Sequence, residues 1–193
     1  MNRRSAIESR KNILDAALTI FSDYGYRGAS MRMIAGHAGI SVGGLYLYFK
    51  SKEELYLTLL KNRFEDLAGQ LERAILNNKN PIDALTEYVT ISVEYTKRHR
   101  ELILAQSRAQ GFAFGIDIKK RFFRKQRRLV EMIIRNGIDS GHFGDCNTKE
   151  VTKVVISTIR GFSLSIVVDQ ENLFQPDECV RFMLHGFLKR EVQ

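Results

Sequence analysis

A chain of 193 residues, 44% hydrophobic and 27% charged, buries a core without covalent staples, and its composition is not that of a disordered tail. Its two cysteines, Cys146 and Cys179, stand without metal-ligand spacing or neighbouring histidines. That excludes a disulfide scaffold and a cysteine-built metal centre, and predicts two reduced thiols, with a redox pair as the alternative. A formal net charge of +8 and a pI of about 9.6 favour a polyanionic partner, nucleic acid before others, with a membrane surface or an acidic protein left open by charge alone.

Residues 1–5 lead into Ala6, Ile7 and Glu8 rather than into an apolar core, so no secretory signal is expected. The richest apolar window, residues 151–168, is broken by Lys153 and Arg160, too often to span a bilayer. The expectation is a cytoplasmic protein with no membrane partner.

Apolar positions recur at helical spacing along nearly the whole chain, and no stretch alternates as a strand does. The fold class predicted is therefore all-α. Ile13, Ala17, Ile20, Phe21 and Tyr24 share one face of a first helix, with Gly25 as its C-cap. Ser30 caps a short second helix that buries Met31, Ile34, Ala35 and Ala38, and Gly39 breaks it. Ser41 caps a short third helix with Val42, Leu45, Tyr46 and Phe49 on successive turns. Ser51 and Glu54 have the capping-box spacing, in which the serine holds the Glu54 amide and the Glu54 side chain reaches back. The fourth helix they open is long, with Leu60, Phe64, Leu67, Leu71 and Ile75 in one stripe. Residues 77–81 form the clearest linker, where Asn80 caps and Pro81 begins the next helix, which runs to about Lys97. Further helices are expected over residues 100–110, 116–136, 148–169 and 177–191, punctuated by Gly111, Gly115, Gly137, Gly141, Gly144 and Pro176. The organisation predicted is an N-terminal three-helix module over residues 1–50 and a larger helical body over residues 51–193.

Two short helices joined by a tight glycine turn place the second in a DNA major groove while the first braces it. Met31, Ile34, Ala35, Leu45 and Phe49 supply the buried lock. Gly43 and Gly44 let the backbone approach bases, and Ser30, Ser41, Tyr46, Tyr48 and Lys52 are polar groups within reach of phosphates. The run Ile13-Leu14-x-Ala16-Ala17, Phe21, Gly25-Tyr26, then Ser30-Met31, Ile34-Ala35, Ala38-Gly39-Ile40-Ser41-x-Gly43, Leu45-Tyr46-x-Tyr48-Phe49-x-Ser51-Lys52 and Leu55 resembles the N-terminal domain of the TetR family of transcriptional regulators, over roughly residues 10–60. The resemblance implies that Ser30 and Arg32 contact phosphate and sometimes a base, and that Val42, Gly43 and Gly44 form the exposed start of the recognition helix. It also implies that Tyr46 and Tyr48 grip the backbone and that Lys52 meets a phosphate at the start of the fourth helix. Val42, Gly43 and Gly44 offer few donors to base edges, so specificity is expected to lean on Arg32, on apolar contact with thymine methyls and on DNA shape.

Beyond residue 55 the resemblance is one of architecture. It implies a ligand pocket among the middle helices and a homodimer through the last two. The apolar faces that fit such pairing are Val151, Val154, Val155, Ile159, Phe162, Ile166 and Val167, then Val180, Met183, Leu184, Phe187 and Leu188, with Gly161 and Gly186 allowing close approach. Candidate ligand-binding residues are Phe64, Tyr88, Ser92, Tyr95, Phe112, Phe114, Phe123 and Arg160, an aromatic-rich set suited to a hydrophobic or planar small molecule. Residues 119–128 include seven basic side chains and read as an amphipathic helix with a solvated basic face, with a second nucleic-acid surface, or attraction for an anionic ligand or a membrane, as alternatives. His37, His99, His142 and His185 are scattered, and no catalytic triad, glycine-rich phosphate loop or metal spacing is present. No catalytic residue, metal or cofactor is expected. The function expected is that of a dimeric repressor, released from a palindromic double-stranded DNA operator by a small molecule. The alternative is a similar DNA binder that activates, or one with no small-molecule inducer.

Overall fold

The computed structural model describes residues 3–100, 115–168 and 175–187, and these form eight helices and no strand. They are α1 (Arg3–Gly28), α2 (Met31–His37), α3 (Val42–Tyr48), α4 (Lys52–Asn77), α5 (Pro81–Arg98), α6 (Ile116–Asp139), α7 (Thr148–Val168) and α8 (Pro176–Phe187). The helix expected over residues 100–110, with the candidates Phe112 and Phe114, lies outside the described residues, as does Leu188. None of the described helices is long and apolar enough to cross a membrane.

The chain forms two compact units, one of Met1–Phe64 with His99–Ile118, the other of Glu65–Arg98 with Lys119–Gln193. The first is built on a continuous core of Ile13, Ala17, Phe21, Ile34, Ala35, Leu45, Phe49 and Leu55, with Tyr56 and Leu59 of α4 in the same cluster. The opening turns of α4 thus help to hold α1, α2 and α3 together. Gly25 interrupts α1 with φ 67° and ψ 172°, and one further turn follows to Gly28. The predicted C-cap is therefore a kink, after which Tyr26 stacks on Phe21 at 5.9 Å and meets the edge of Tyr56 at 5.1 Å.

In the second unit, α5 packs on α7 and α8. Asn80 Oδ1 accepts the Ile82 amide at 2.9 Å, which explains why the helix starts at Pro81, where no backbone N–H is lost. The buried stripe of α5 carries polar groups among the apolar ones: Tyr88, Ser92 and Thr96 lie between Leu85, Val89 and Val93. Ser92 Oγ donates to the Tyr88 carbonyl at 2.7 Å, and Thr96 Oγ1 lies 3.2 Å from Ser163 Oγ of α7.

The sixth helix runs three residues beyond the predicted end at residue 136, because Gly137 is not a stop. The ring of Phe143 covers it so closely that an added Cβ would sit 2.0 Å from Cδ2, and the Phe143 amide donates to the Gly137 carbonyl at 2.9 Å. The chain turns instead at Gly141, with φ 74°. Gly137→Ala therefore forces a buried ring out of place, and a loss of about 1–3 kcal/mol is expected in urea denaturation. An unchanged midpoint would show that Phe143 moves aside without cost.

Candidate nucleic-acid interface

The turn between α2 and α3 is a Schellman motif. The Ile40 amide donates to Ala35 O at 3.0 Å and the Gly39 amide to Gly36 O at 3.2 Å, with Gly39 in the left-handed region at φ 67°. Asn12 of α1 donates to the Ala38 carbonyl at 3.0 Å and so ties the turn to the helix behind it. Both serine caps form as read from the sequence: Ser30 Oγ accepts the Met33 amide at 3.2 Å, and Ser41 Oγ accepts the Gly44 amide at 3.0 Å.

Burial sorts the candidate residues. Ser30, Arg32, Ser41, Gly43 and Tyr46 are exposed, and Val42, Gly44, Tyr48 and Lys52 are half-buried. Val42 and Tyr48 pack against the core, and the Tyr48 hydroxyl is buried with no partner among the described residues. Gly43, Tyr46 and Leu47 fall at i, i+3 and i+4 and form the outward face of α3. Leu47 is 79% exposed and Tyr46 45% exposed, so an aliphatic and an aromatic group stand side by side in the open next to the bare backbone of Gly43. Leu47 has no role in the sequence reading; its helical register beside Gly43 is the signal that marks it.

Lys52 is held more firmly than its sequence position indicated. Its Nζ donates to the carbonyls of Tyr26 at 2.7 Å and Ala29 at 2.8 Å, and lies 4.6 Å from the Tyr26 ring centroid. Arg10, absent from the candidate set, has its guanidinium 4.6 Å from the Phe49 ring centroid. At the start of α4, Ser51 Oγ accepts the Glu54 amide at 3.1 Å as expected, while the Glu54 carboxylate takes the Lys50 amide at 2.7 Å.

An N-terminal three-helix core, two serine-capped short helices and a glycine turn at Gly39 together make a helix-turn-helix. A family model described as bacterial regulatory proteins, tetR family, matches residues 13–59, the segment that carries this geometry. That segment is therefore similar to the DNA-binding domain of the TetR family. The chain is 29% identical over 137 residues to the HTH-type transcriptional repressor KstR2 of Mycolicibacterium smegmatis, a match covering 69% of this chain and 67% of that protein. A TetR transcription regulator from Haloarcula marismortui shares the fold with a TM-score of 0.84 at 19% identity, over 94% of this chain and 99% of that one. The regulator FadR of Bacillus subtilis in complex with stearoyl-CoA superposes with a TM-score of 0.74 at 19% identity, over 91% and 95%.

The ligand candidates divide between the two units. Phe64 is half-buried in the first unit. In the second, Tyr88, Ser92 and Tyr95 are buried on α5. Arg160 of α7 lies over the Phe123 ring of α6, 3.7 Å from its centroid. Burial raises the Tyr88 phenol well above its ordinary pKa, with the charge of Arg160 acting the other way. A cavity of about 280 Å³ lies elsewhere, between α5 and α8, lined by Thr86, Asp177, Val180, Arg181, Leu184 and His185.

Two glycines open α3, and they differ. A Cβ on Gly43 meets nothing within 4 Å, whereas one on Gly44 comes 3.1 Å from the Ser41 cap oxygen. The fold thus has no use for glycine at residue 43. Gly43→Ala is expected to stabilise the protein by about 0.5–1 kcal/mol in chemical denaturation, and Gly44→Ala to gain less. Equal gains would show that the cap yields to the extra methyl.

Proposed function

We propose that this chain is a transcriptional repressor that binds a palindromic DNA operator as a homodimer and is released by a small molecule. The observation that carries the reading is the outward face of α3. Gly43 has no neighbour that requires it to be glycine, and Tyr46 and Leu47 extend an open face beside it that a partner can approach closely. A DNA major groove answers both: the bare backbone at Gly43 and Gly44 comes close to base edges, and Leu47 meets thymine methyls. Ser30, Arg32, Ser41 and Tyr46 take the flanking phosphates, with Arg32 also within reach of a base. Val42 and Tyr48 brace the helix from within, and Lys52 keeps one N–H for a phosphate after satisfying two carbonyls. On this reading residues 1–50 are the reading head, and residues 51–193 bind ligand and form the dimer.

Two copies are needed to place two such faces in successive grooves, about 34–36 Å apart or a multiple of that. The last two helices supply the surface. Val154 (60% exposed), Leu164 (46%) and Phe182 (83%) are large apolar groups left in the open on α7 and α8. Ser157 and Gly161 lie between Val154 and Leu164 on the same exposed face, and a Cβ at Gly161 meets nothing within 4 Å, so a partner backbone fits closely there. Phe182 falls outside the apolar face read from the sequence, of which Val180 and Met183 are buried in their own unit.

Ligand control follows the same construction. The helix α4 starts against the reading head and ends in the body, so a molecule that binds one conformation of the body more tightly shifts the spacing of the two heads. The stearoyl-CoA bound by FadR, a protein of the same fold, supports an organic ligand with a large apolar part. Tyr88, Ser92, Tyr95, Phe123 and Arg160 are the side chains assigned to it, with Phe64, Phe112 and Phe114 as further candidates.

Phe182→Glu separates dimer formation from folding, because the side chain it replaces is already exposed. A monomer by sedimentation and a loss of operator affinity of at least about tenfold are expected, since each head then binds alone. A dimer with unchanged affinity would place the interface on another surface.

A further inference from the structure

Four ion pairs of the second unit each join two residues of one helix: Lys97 to Glu94, Arg135 to Glu131, Lys153 to Glu150 and Arg181 to Glu178. None of the four takes in Lys120, Arg121, Arg124, Lys125, Arg127 or Arg128 of α6, or Arg160 of α7, all of them exposed. Most of these cations point to water, as the amphipathic pattern predicts. Arg160 and Arg127 differ from the rest. Arg160 stacks on Phe123, 3.7 Å from the ring centroid, and Arg127 is one helical turn after Phe123 on the same edge of α6. A second guanidinium, that of Arg127, thus lies close enough to the stacked one for its charge to act on it. Burial and the charge of Arg127, in that order, both work against the charged form of Arg160.

Stacking leaves the edge of a guanidinium free, and that edge carries the parallel N–H donors that match a carboxylate or phosphate. The polar interior adds a second observation. Gln126, one turn from Phe123, is 2% exposed, and its Oε1 is buried with no hydrogen-bond partner among the described residues. A buried acceptor without a donor costs about 1–3 kcal/mol unless something supplies one.

We propose that the junction of α5, α6 and α7 is an anion site, in which Arg160 and Arg127 hold the carboxylate or phosphate head of an amphiphilic organic ligand whose apolar part lies against Phe123 and Tyr88. This rests on the reading of Tyr88, Phe123 and Arg160 as ligand-site residues and gives that ligand its chemical class. The stacked arginine selects charge and fixes the head, the aromatic pair receives the body, and Gln126 accepts a hydroxyl or amide N–H from it.

The test is calorimetric titration of the full-length protein with decyl phosphate, decanoate and decanol, all below their aggregation limits. One or both anions should bind at least about tenfold more tightly than decanol, and whichever does so identifies the head group. Arg160→Gln and Arg127→Gln should each cost the anion about tenfold and leave decanol unchanged, whereas Lys125→Gln, on the solvated face, should change neither. Arg160→Lys keeps the charge without the fork and should fall between wild type and Arg160→Gln, which separates anion binding from a folding defect. Decanol binding as tightly as the anions, or arginine variants that bind them as wild type does, would overturn the site. So would arginine variants that weaken only the binding of non-specific duplex DNA. Anion binding that leaves operator affinity unchanged would support the site and remove ligand control. Release of DNA by an uncharged effector, with no anion bound, would keep ligand control and remove the site.

Discussion

A single ammonium group ties the two short helices to the long helix behind them. Lys52 is the first residue of α4, and its Nζ donates to two carbonyls at the end of α1, those of Tyr26 and Ala29. The negative end of the helix dipole favours a cation at these carbonyls. The kink at Gly25 turns Tyr26 so that its ring lies beneath the same ammonium and against Tyr56 of α4. Burial, with Tyr26 adding to it, raises the Tyr56 phenol well above its ordinary pKa, so it stays neutral inside this cluster. The segment between α1 and α2 is thereby fixed to α4, and with it the direction in which the outward face of α3 points.

The local devices were legible because they lie within a few residues. Ser30, Ser41 and Ser51 each cap the amide three residues on, and Asn80 and Pro81 open α5, as their spacing requires. Long-range partners were not. Nothing near Lys52 in sequence points to carbonyls 26 and 23 residues away, and nothing near Gly137 announces the ring of Phe143. The capping box formed with a shift, because Glu54 takes the amide of Lys50, one residue before the capping serine. Leu47 and Phe182 were missed for a common reason. Apolar periodicity marks what is buried within one chain, and both residues face away from it. Their exposure becomes informative once the helices have directions.

A ligand site in the second unit is harder to read because it would sit in a mixture of burial and polarity. An aromatic residue on α5 or α6 has the same pattern whether it fills a core or lines a site. What distinguishes the junction of α5, α6 and α7 is polar chemistry that packing alone does not require: a stacked arginine beside another, and a buried glutamine oxygen without a donor. The basic run of α6 was visible as a charged face. That its edge meets Arg160 of α7 across Phe123 follows only from the fold.

The account stands or falls on whether the outward face of α3 reads DNA in two-fold copies. The most direct measurement is selection of binding sites from a random duplex pool by the purified full-length protein at physiological salt, followed by footprinting of the enriched sequence. A two-fold symmetric site is predicted, with half-site centres about 34–36 Å apart or a multiple of that, and with thymines enriched in each half. Enrichment of no sequence, or of an asymmetric one protected as a single half, would contradict it.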